Sequence, residues 1–260
     1  MYEAMMIAAT GLQNQQRRLD SIADNLANVN TVAHKSARLD FKEALYTAGI
    51  TPGPPRTPAP EGNQQKGHGV IVAAVSKDYR GGALMITENQ LDLAIEGEGF
   101  FELEDGQGGS LYTRNGALRL GEGGDGFYLV NGEGYFVRDA DGNRIRVPDE
   151  TNSVAIGNDG TIVFMSGEQE IETTTLGVYT FRNVTGLMSA GGSNYAETEA
   201  SGERRLAEEA VIRQGALEGS NVSLSDEMTR MMRTQRAFSL ASRALKTADD
   251  MEGIANNIRR

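Results

Sequence analysis

Apolar and small residues recur at the two ends of the chain in the alternating steps of four and three that mark a heptad seam. Toward the end they are Leu224, Met228, Met231, Phe238, Ser242 and Leu245, with Gln235 the one large polar member, and a slightly shifted stripe continues through Ala248, Met251, Ala255 and Ile258. Neither Gly nor Pro interrupts this run before Gly253, and Ser223 with Asp226 forms a candidate capping pair. The spacing predicts a helix of about 33 residues, roughly 50 Å long. At the start, Met1, Met5, Ala8, Leu12, Gln15, Leu19, Ile22 and Leu26 repeat the pattern and predict a helix from Met1 to about Asn28. A single amphipathic helix ordinarily covers a globular core. Two at opposite ends, each marginal alone in water, predict that they pair with each other.

Between the helices the pattern shortens. The turn-favouring run Asn28-Val29-Asn30-Thr31 ends the first helix. Ala37, Phe41, Ala44 and Leu45 share a helical face, with Arg38 and Lys42 on another, which predicts a second short helix. Residues 49–69 hold all but one of the six prolines and read as an extended or disordered linker. From Val70 onward short β-prone runs are predicted as strands: Val70–Val75, Leu93–Ile95, Gly99–Leu103, Ser110–Thr113, Phe127–Val130, Tyr135–Val137, Asn143–Val147, Thr161–Met165 and Gly177–Phe181, with Val211-Ile212 as a last one. Asp-Gly or Asn-Gly pairs punctuate them at 105, 115, 125, 131, 141 and 159. The predicted fold class is α+β: N- and C-terminal helices (1–45 and 221–260) in a coiled-coil-like layer, a linker (46–69), and an inserted, mainly antiparallel all-β domain (70–220).

Charge sharpens this division. Five basic and five acidic residues lie in 1–45, seven and five in 225–260, leaving 13 and 26 for the middle of a chain whose net charge is −11. An acidic middle argues against nucleic-acid binding, which needs clustered Lys and Arg, and suits a solvated outer surface. The absence of cysteine removes thiol catalysis, disulfides and thiolate metal sites. The opening residues lack a basic n-region and turn polar by Gln13, so neither a cleaved secretory signal nor membrane insertion is expected.

Candidate chemistry is sparse. Gly97 and Gly99 in Glu96-Gly97-Glu98-Gly99-Phe100 lie between strands without a following helix, which favours a tight turn over phosphate binding, with Phe100 and Phe101 anchoring opposite faces. His34 and His68 have no clustered partners for a metal or general base. Asp139–Asn143 favours a hairpin turn over a calcium loop, because its glycine is misplaced and flanking helices are lacking. Glu102 and Glu104 are two among many carboxylates. No catalytic residue, cofactor site or metal site is assigned.

Several blocks together resemble one family. Ala8-Ala9-Thr10-Gly11-Leu12, Asn25-Leu26-Ala27-Asn28-Val29-Asn30-Thr31, Asp92 to Phe101 with Tyr112 to Gly116, Ser220-Asn221-Val222, and Gln235-Arg236-Ala237-Phe238 are similar to the rod and hook axial proteins of the bacterial flagellum. The block from Glu218 to Val222, followed by Gln235 to Phe238, is most like the distal rod, with a proximal rod subunit as the alternative in the same class. Where the family usually has Gly-Phe or Gly-Tyr before a basic residue, this chain has Ala33-His34 before Lys35, which bears on the geometry of the connector. The resemblance implies an exported structural subunit of the basal body that transmits torque and is not an enzyme. It implies terminal helices that pair on assembly into a helical tube, with the β domain outside. The implied partners are copies of itself, other rod proteins, hook subunits, outer ring proteins and the flagellar type III export apparatus. On this reading Leu12, Leu19, Ile22, Leu26, Met228, Met231, Phe238 and Leu245 bury the tube contacts, and Asn25, Asn28, Gln235 and Arg236 fix lateral hydrogen bonds. From another class, the same pattern would fit a secreted binding module on a coiled-coil stalk.

Overall fold

A computed structural model describes residues 2–43, 47–48, 65–66, 70–207 and 209–258. Two helices bound the chain, α1 (Tyr2–Ala27) and α2 (Leu224–Ile258). They pack along each other, and Ile22 and Asn25 of α1 line one pocket with Glu227 and Arg230 of α2, so the pair is antiparallel. The seam on α1 is the expected one: Met5, Ala8, Leu12, Gln15, Leu19, Ile22 and Leu26 are all at least partly buried. On α2 it is rotated. Met231, Phe238 and Leu245 are partly buried as expected, but the positions alternating with them are Glu227, Thr234 and Ala241, while Met228 is 47% exposed and Gln235 is exposed. Polarity hid this face. Thr234 returns its hydroxyl to the Arg230 carbonyl (2.8 Å), and Glu227 accepts from Arg230 (2.8 Å), so both sit buried beside α1 with local partners. The Ser223 hydroxyl accepts the Asp226 amide (3.4 Å), in keeping with the expected cap.

The helices form one of two compact units together with residues 37–76. Ala37–Glu43 is a strand, not the short helix expected from Ala37 and Phe41, and it pairs with Val70–Lys77. Its residues in fact alternate, with Ala37, Leu39 and Phe41 against Arg38, Asp40 and Lys42, a period of two that the four-residue spacing of Ala37 and Phe41 also satisfies. Arg18 of α1 stacks over Phe41 at 5.7 Å, and Asn14 donates to the Val70 carbonyl. Of the proline-rich segment only Gln65–Lys66 is described, paired antiparallel with Thr47–Ala48; the rest of that expectation, with Ala44 and Leu45, lies outside the described residues.

The second unit comprises residues 28–36 and 77–222. Its largest sheet is antiparallel throughout and runs in the order Arg119–Gly123, Gly126–Val130, Phe136–Val137, Phe100–Glu104, Ser110–Thr113, Asn194–Ala196, Met188–Gly191, with Arg146–Val147, Val178–Phe181 and Arg204–Leu206 joined to its sides. Smaller antiparallel sheets are built from Ser153–Ile156, Thr161–Ser166 and Gln169–Thr175, from Val211–Gln214, Asp92–Glu96 and Gly116–Ala117, and from Leu84–Ile86 with Ala216–Glu218. Strand Phe100–Glu104 divides two cores. Phe101 and Leu103 enter an aliphatic cluster with Leu93, Leu129, Ile162 and Phe164, whereas Phe100 joins Tyr112, Tyr179, Phe181 and Tyr195 in an aromatic one. The expectation that Phe100 and Phe101 face opposite ways follows from strand alternation and holds.

Gly116 sits where this unit has no spare room. A β-carbon there would stand 1.9 Å from the Leu93 carbonyl oxygen. Gly116→Ala is therefore expected to destabilise the β unit by more than about 3 kcal/mol. Gly124→Ala, at a site with nothing within 4 Å, serves as the control and should change stability by under about 0.5 kcal/mol. Thermal melts followed by circular dichroism give both values.

Candidate functional site: a buried charge cluster

Three charged side chains are buried together in the β unit. Glu218, on the strand Ala216–Glu218, accepts Lys35 Nζ on Oε1 at 2.6 Å and Arg114 Nε on Oε2 at 2.7 Å, and the three side chains are 1%, 0% and 3% exposed. Each donor nitrogen in the cluster makes at least one hydrogen bond. Lys35 also donates to the Arg80 carbonyl (2.7 Å), and Arg114 donates to the carbonyls of Gly99 (3.2 Å), Ile95 (3.1 Å) and Gly97 (2.9 Å). The Gly82 amide donates a further bond to Glu218 Oε1 (2.8 Å). A buried carboxylate without such donors would be neutral or would unfold the chain.

The electrostatics follow from this packing. Burial alone would push the Glu218 carboxyl up, but Arg114 and Lys35 outweigh it and hold the group below the usual carboxylate range. Burial pulls the Lys35 ammonium below the ordinary lysine value, against the hydrogen bond and charge of Glu218 and with Arg114 adding to the lowering.

A backbone and amide shell continues the cluster. The Asn221 side chain donates to the carbonyls of Asp78 (2.7 Å) and Arg80 (3.1 Å) and accepts the Ser36 amide (2.8 Å). The Ala33 amide donates to the Glu218 carbonyl (2.8 Å), Asn221 N to the His34 carbonyl (3.3 Å), and Asp78 N to the Ser36 carbonyl (2.9 Å). Three stretches far apart in sequence, 33–36, 78–82 and 218–221, are thereby joined. Ala33 itself is buried with φ of 55°, in the left-handed region that favours glycine. Alanine thus stands where the resemblance leads one to expect glycine, at a position with a real steric demand.

A second buried carboxylate lies on strand Phe100–Glu104. Glu102 pairs with Arg204 and with Arg138 (3.3 Å) and accepts the Ser110 hydroxyl (2.9 Å), and Glu104 pairs with Arg138 (3.2 Å) and Arg144 (2.7 Å). The expected hairpin at Asp139–Asn143 is present, closed by Asp139 N to the Asn143 carbonyl (2.8 Å), with the Asp139 carboxylate accepting the amides of residues 141 and 143. Among the described residues there is no acidic or histidine group able to hold a metal ion, and no helix long and apolar enough to cross a membrane.

The sequence-derived residues fall into separate groups. Gly97, Gly99 and Phe100 surround Arg114, which also lies 5.9 Å from the Phe100 ring. Asn221 belongs to the shell, Ser220 accepts the Val222 amide (3.3 Å), and Val222 is buried. Asn25, expected in lateral contacts, is buried and spends its side chain on both the amide (2.8 Å) and the carbonyl (2.9 Å) of Ala37. Asn28 accepts the Thr31 hydroxyl (3.1 Å), while Ala27, Gln235 and Arg236 are exposed. Lys35, Arg114 and Glu218 lie in the stretches that carry the resemblance, but the sequence assigned none of them a role. Their signal was a charge embedded beside Gly or a β run: Arg114 before Asn115-Gly116, and Glu218 between Leu217 and Gly219.

The chain thus combines two helices that expose apolar side chains with a β unit that buries paired charges. Three family models match it: Flagella basal body rod protein over residues 5–35, Flagellar hook protein FlgE/F/G D1 domain over 94–164, and Flagellar basal body rod FlgEFG protein C-terminal over 213–258. Each matched segment supplies one member of the cluster, Lys35, Arg114 and Glu218 in turn. Similar proteins include the flagellar basal-body rod protein FlgG of Borreliella burgdorferi, 36% identical over the whole of both chains. Those of Bacillus subtilis (33%, whole of both chains) and Agrobacterium fabrum (35%, 97% of this chain and 98% of the relative) match in the same way. The chain belongs to the flagellar basal-body rod protein family.

Two outcomes test the site. Glu218→Gln should cost roughly 3–5 kcal/mol at pH 7, because it leaves two buried cations short of their counter-charge. Since the Glu218 carboxyl titrates lower in the folded chain than in the unfolded one, its contribution is complete above the ordinary value of about 4.3 and is lost as pH falls through the lowered one. The stability gap between wild type and Glu218→Gln should therefore narrow steadily below about pH 4 in urea titrations. At Ala33, Val should destabilise by at least about 2 kcal/mol, since a β-branched side chain resists this φ, whereas Gly should stay within about 1 kcal/mol of wild type.

Proposed function

We propose that the chain is a structural subunit of the flagellar rod, in its distal segment, which polymerises into a helical tube and carries torque from motor to hook without catalysing a reaction. The observation that carries this reading is the apolar surface that the helical pair leaves open: Met6, Ile7, Leu224, Met228, Met232, Leu240, Met251 and Ile254 are all exposed in the single chain. Burying a side chain of this kind contributes about 1.5–3 kcal/mol, a gain available only when neighbouring copies cover it. The full-length relationship to chains named basal-body rod protein supports the rod, and the resemblance of Glu218–Val222 and Gln235–Phe238 supports its distal part over the proximal one. Its partners on this reading are copies of itself, the other rod proteins, hook subunits, the ring proteins around the rod and the flagellar type III export apparatus. Its place is the axial structure of the basal body. Leu12, Leu19, Ile22, Leu26, Met231, Phe238 and Leu245 hold the helical pair, and Met228 is free for a neighbour.

Sedimentation velocity with circular dichroism across a concentration series tests this. The wild-type chain should gain helix as it forms open-ended polymers, while Leu26→Asp and Phe238→Asp should raise the concentration needed for assembly at least about tenfold, with the β signal retained. A discrete trimer, helical at every concentration, would favour the binding-module reading.

A further inference from the structure

Beside the buried charge cluster the β unit opens into a cavity of about 810 Å³, within the roughly 300–1,000 Å³ range of clefts that take up a ligand. Buried Phe100 and Arg114 and partly buried Tyr79 line it, together with exposed Leu84, Glu98 and Arg182. Tyr79 meets Phe100 edge-on at 6.1 Å, which gives the cavity an aromatic wall. Most of the charges around it are already matched: Asp78 pairs with Arg80, Glu96 with Arg213, and Glu218 with Lys35 and Arg114. Arg182 has no ion-pair partner among the described residues, and Glu98 is the one acid at the cavity in the same condition. Arg114 donates through four of its five N–H groups and keeps one on Nη1. An aromatic wall beside a free guanidinium suits an incoming ring that carries a carboxylate next to it.

The same unit presents that combination at the edge of its largest sheet. In the hairpin Arg119–Gly123 and Gly126–Val130, Glu122 stands directly opposite Phe127, so a carboxylate and a ring share one face about 5 Å apart. Glu122 is exposed and has no ion-pair partner among the described residues, and Phe127 is 47% exposed. Leu120, two residues before Glu122 and therefore on the same face, is 51% exposed. Glycines at 121, 123, 124 and 126 keep the end of the hairpin slim. None of these residues lines the cavity of its own chain.

We propose that the end of this hairpin enters the cavity in the β unit of a second copy, with Phe127 against Tyr79 and Phe100 and Glu122 paired with Arg182. The occupant follows from charge as well as shape. Residues 46–224 hold 13 basic and 26 acidic side chains, so two β units repel wherever they meet at random. A free arginine beside an aromatic wall is a place where an acidic tip is accepted, and a matched pair of this kind fixes register more than it adds affinity. The inference rests on the rod reading for the partner being another copy of this chain, and it adds a contact in the β layer that is separate from the helices. Hairpin and cavity are different patches, so each copy presents one and receives the other, and a head-to-tail contact of this kind extends without closing where its rotation does not form a ring.

Charge exchange and cross-linking in the full-length chain test the contact. Arg182→Glu and Glu122→Arg, both at exposed positions, should each raise the concentration needed for assembly at least about tenfold, and the two together should return it to within about threefold of wild type, as read by sedimentation velocity. The chain has no cysteine, Thr185 lines the cavity and Gly124 has nothing within 4 Å of an added β-carbon. Polymers of the variant carrying Gly124→Cys with Thr185→Cys, oxidised after sedimentation, should therefore give a ladder of cross-linked multimers on denaturing electrophoresis, with each single variant remaining monomeric. Single charge variants that assemble at the wild-type concentration, a double exchange no better than the single ones, or sedimenting polymers without a ladder would each overturn this hairpin as the occupant and leave the rod reading intact. Dimers from a single cysteine variant would show a like-to-like contact and overturn it as well. A wild-type chain that stays monomeric at every concentration would refute the rod reading, and this contact with it.

Discussion

The structure depends on one carboxylate. Glu218 is buried with Arg114 on one oxygen and Lys35 on the other, and three charges removed from water are tolerable only if each keeps near-complete hydrogen bonding. The chain meets that condition with backbone carbonyls at 80, 95, 97 and 99 and the amide at 82. An apolar filling of the same volume could match its stability, but it would lack direction. Directional bonds fix where the segments 33–36, 78–82 and 218–221 lie with respect to one another. These segments are also next to the points where the chain passes from one compact unit to the other, after residues 27, 36, 76 and 222. The charge cluster thus holds segments that adjoin those passages at fixed positions within the β unit.

The same device recurs on the strand that separates the two cores. Phe101 and Leu103 pack on the aliphatic side, Phe100 on the aromatic side, and Glu102, fully buried, is held by Arg138 and Arg204. Edge-to-face contacts join Phe100 to Tyr195 at 5.7 Å and Tyr112 to Phe181 at 4.8 Å, geometries that add about 0.5–1.5 kcal/mol beyond burial. Burial accordingly pushes the Tyr112 phenol up to about 12. The β unit therefore combines two apolar cores with two networks of buried charge, and each network fixes an orientation that packing alone would leave free.

Periodicity made the architecture legible, and its failures have definite causes. The N-terminal seam was readable because its members are apolar or long amides at regular spacing. The C-terminal seam is rotated from the expected one because Met228 is apolar where Glu227 is charged, whereas local hydrogen bonds make Glu227 and Thr234 buriable. The strand Ala37–Glu43 was misread because positions 37 and 41 fit either period. Gln169–Thr175 escaped because most of its side chains are exposed and polar, although every residue of it except Ile171 pairs with Thr161–Ser166. The cluster itself was invisible to periodicity. Its members stand on a connector, a loop edge and a short strand 183 residues apart at the widest, and only the tertiary fold brings them within hydrogen-bonding distance.

Both units expose large apolar side chains, among them Met228 and Leu240 in the helical unit and Ile86 and Met188 in the β unit, but they bury polar groups differently. In the β unit the buried charges are paired, although Glu102 Oε2 and the hydroxyls of Thr87 and Thr151 are buried without a hydrogen bond. In the helical unit apolar groups are left in water, and the seam between α1 and α2 includes Gln15, Thr234 and Glu227, which weaken a purely hydrophobic zipper. A stronger seam would make the helices self-sufficient and remove the gain that drives association. A weaker one would leave no surface for a neighbour to recognise. The exposed apolar groups of the helices hold a free-energy gain that is released when another surface covers them.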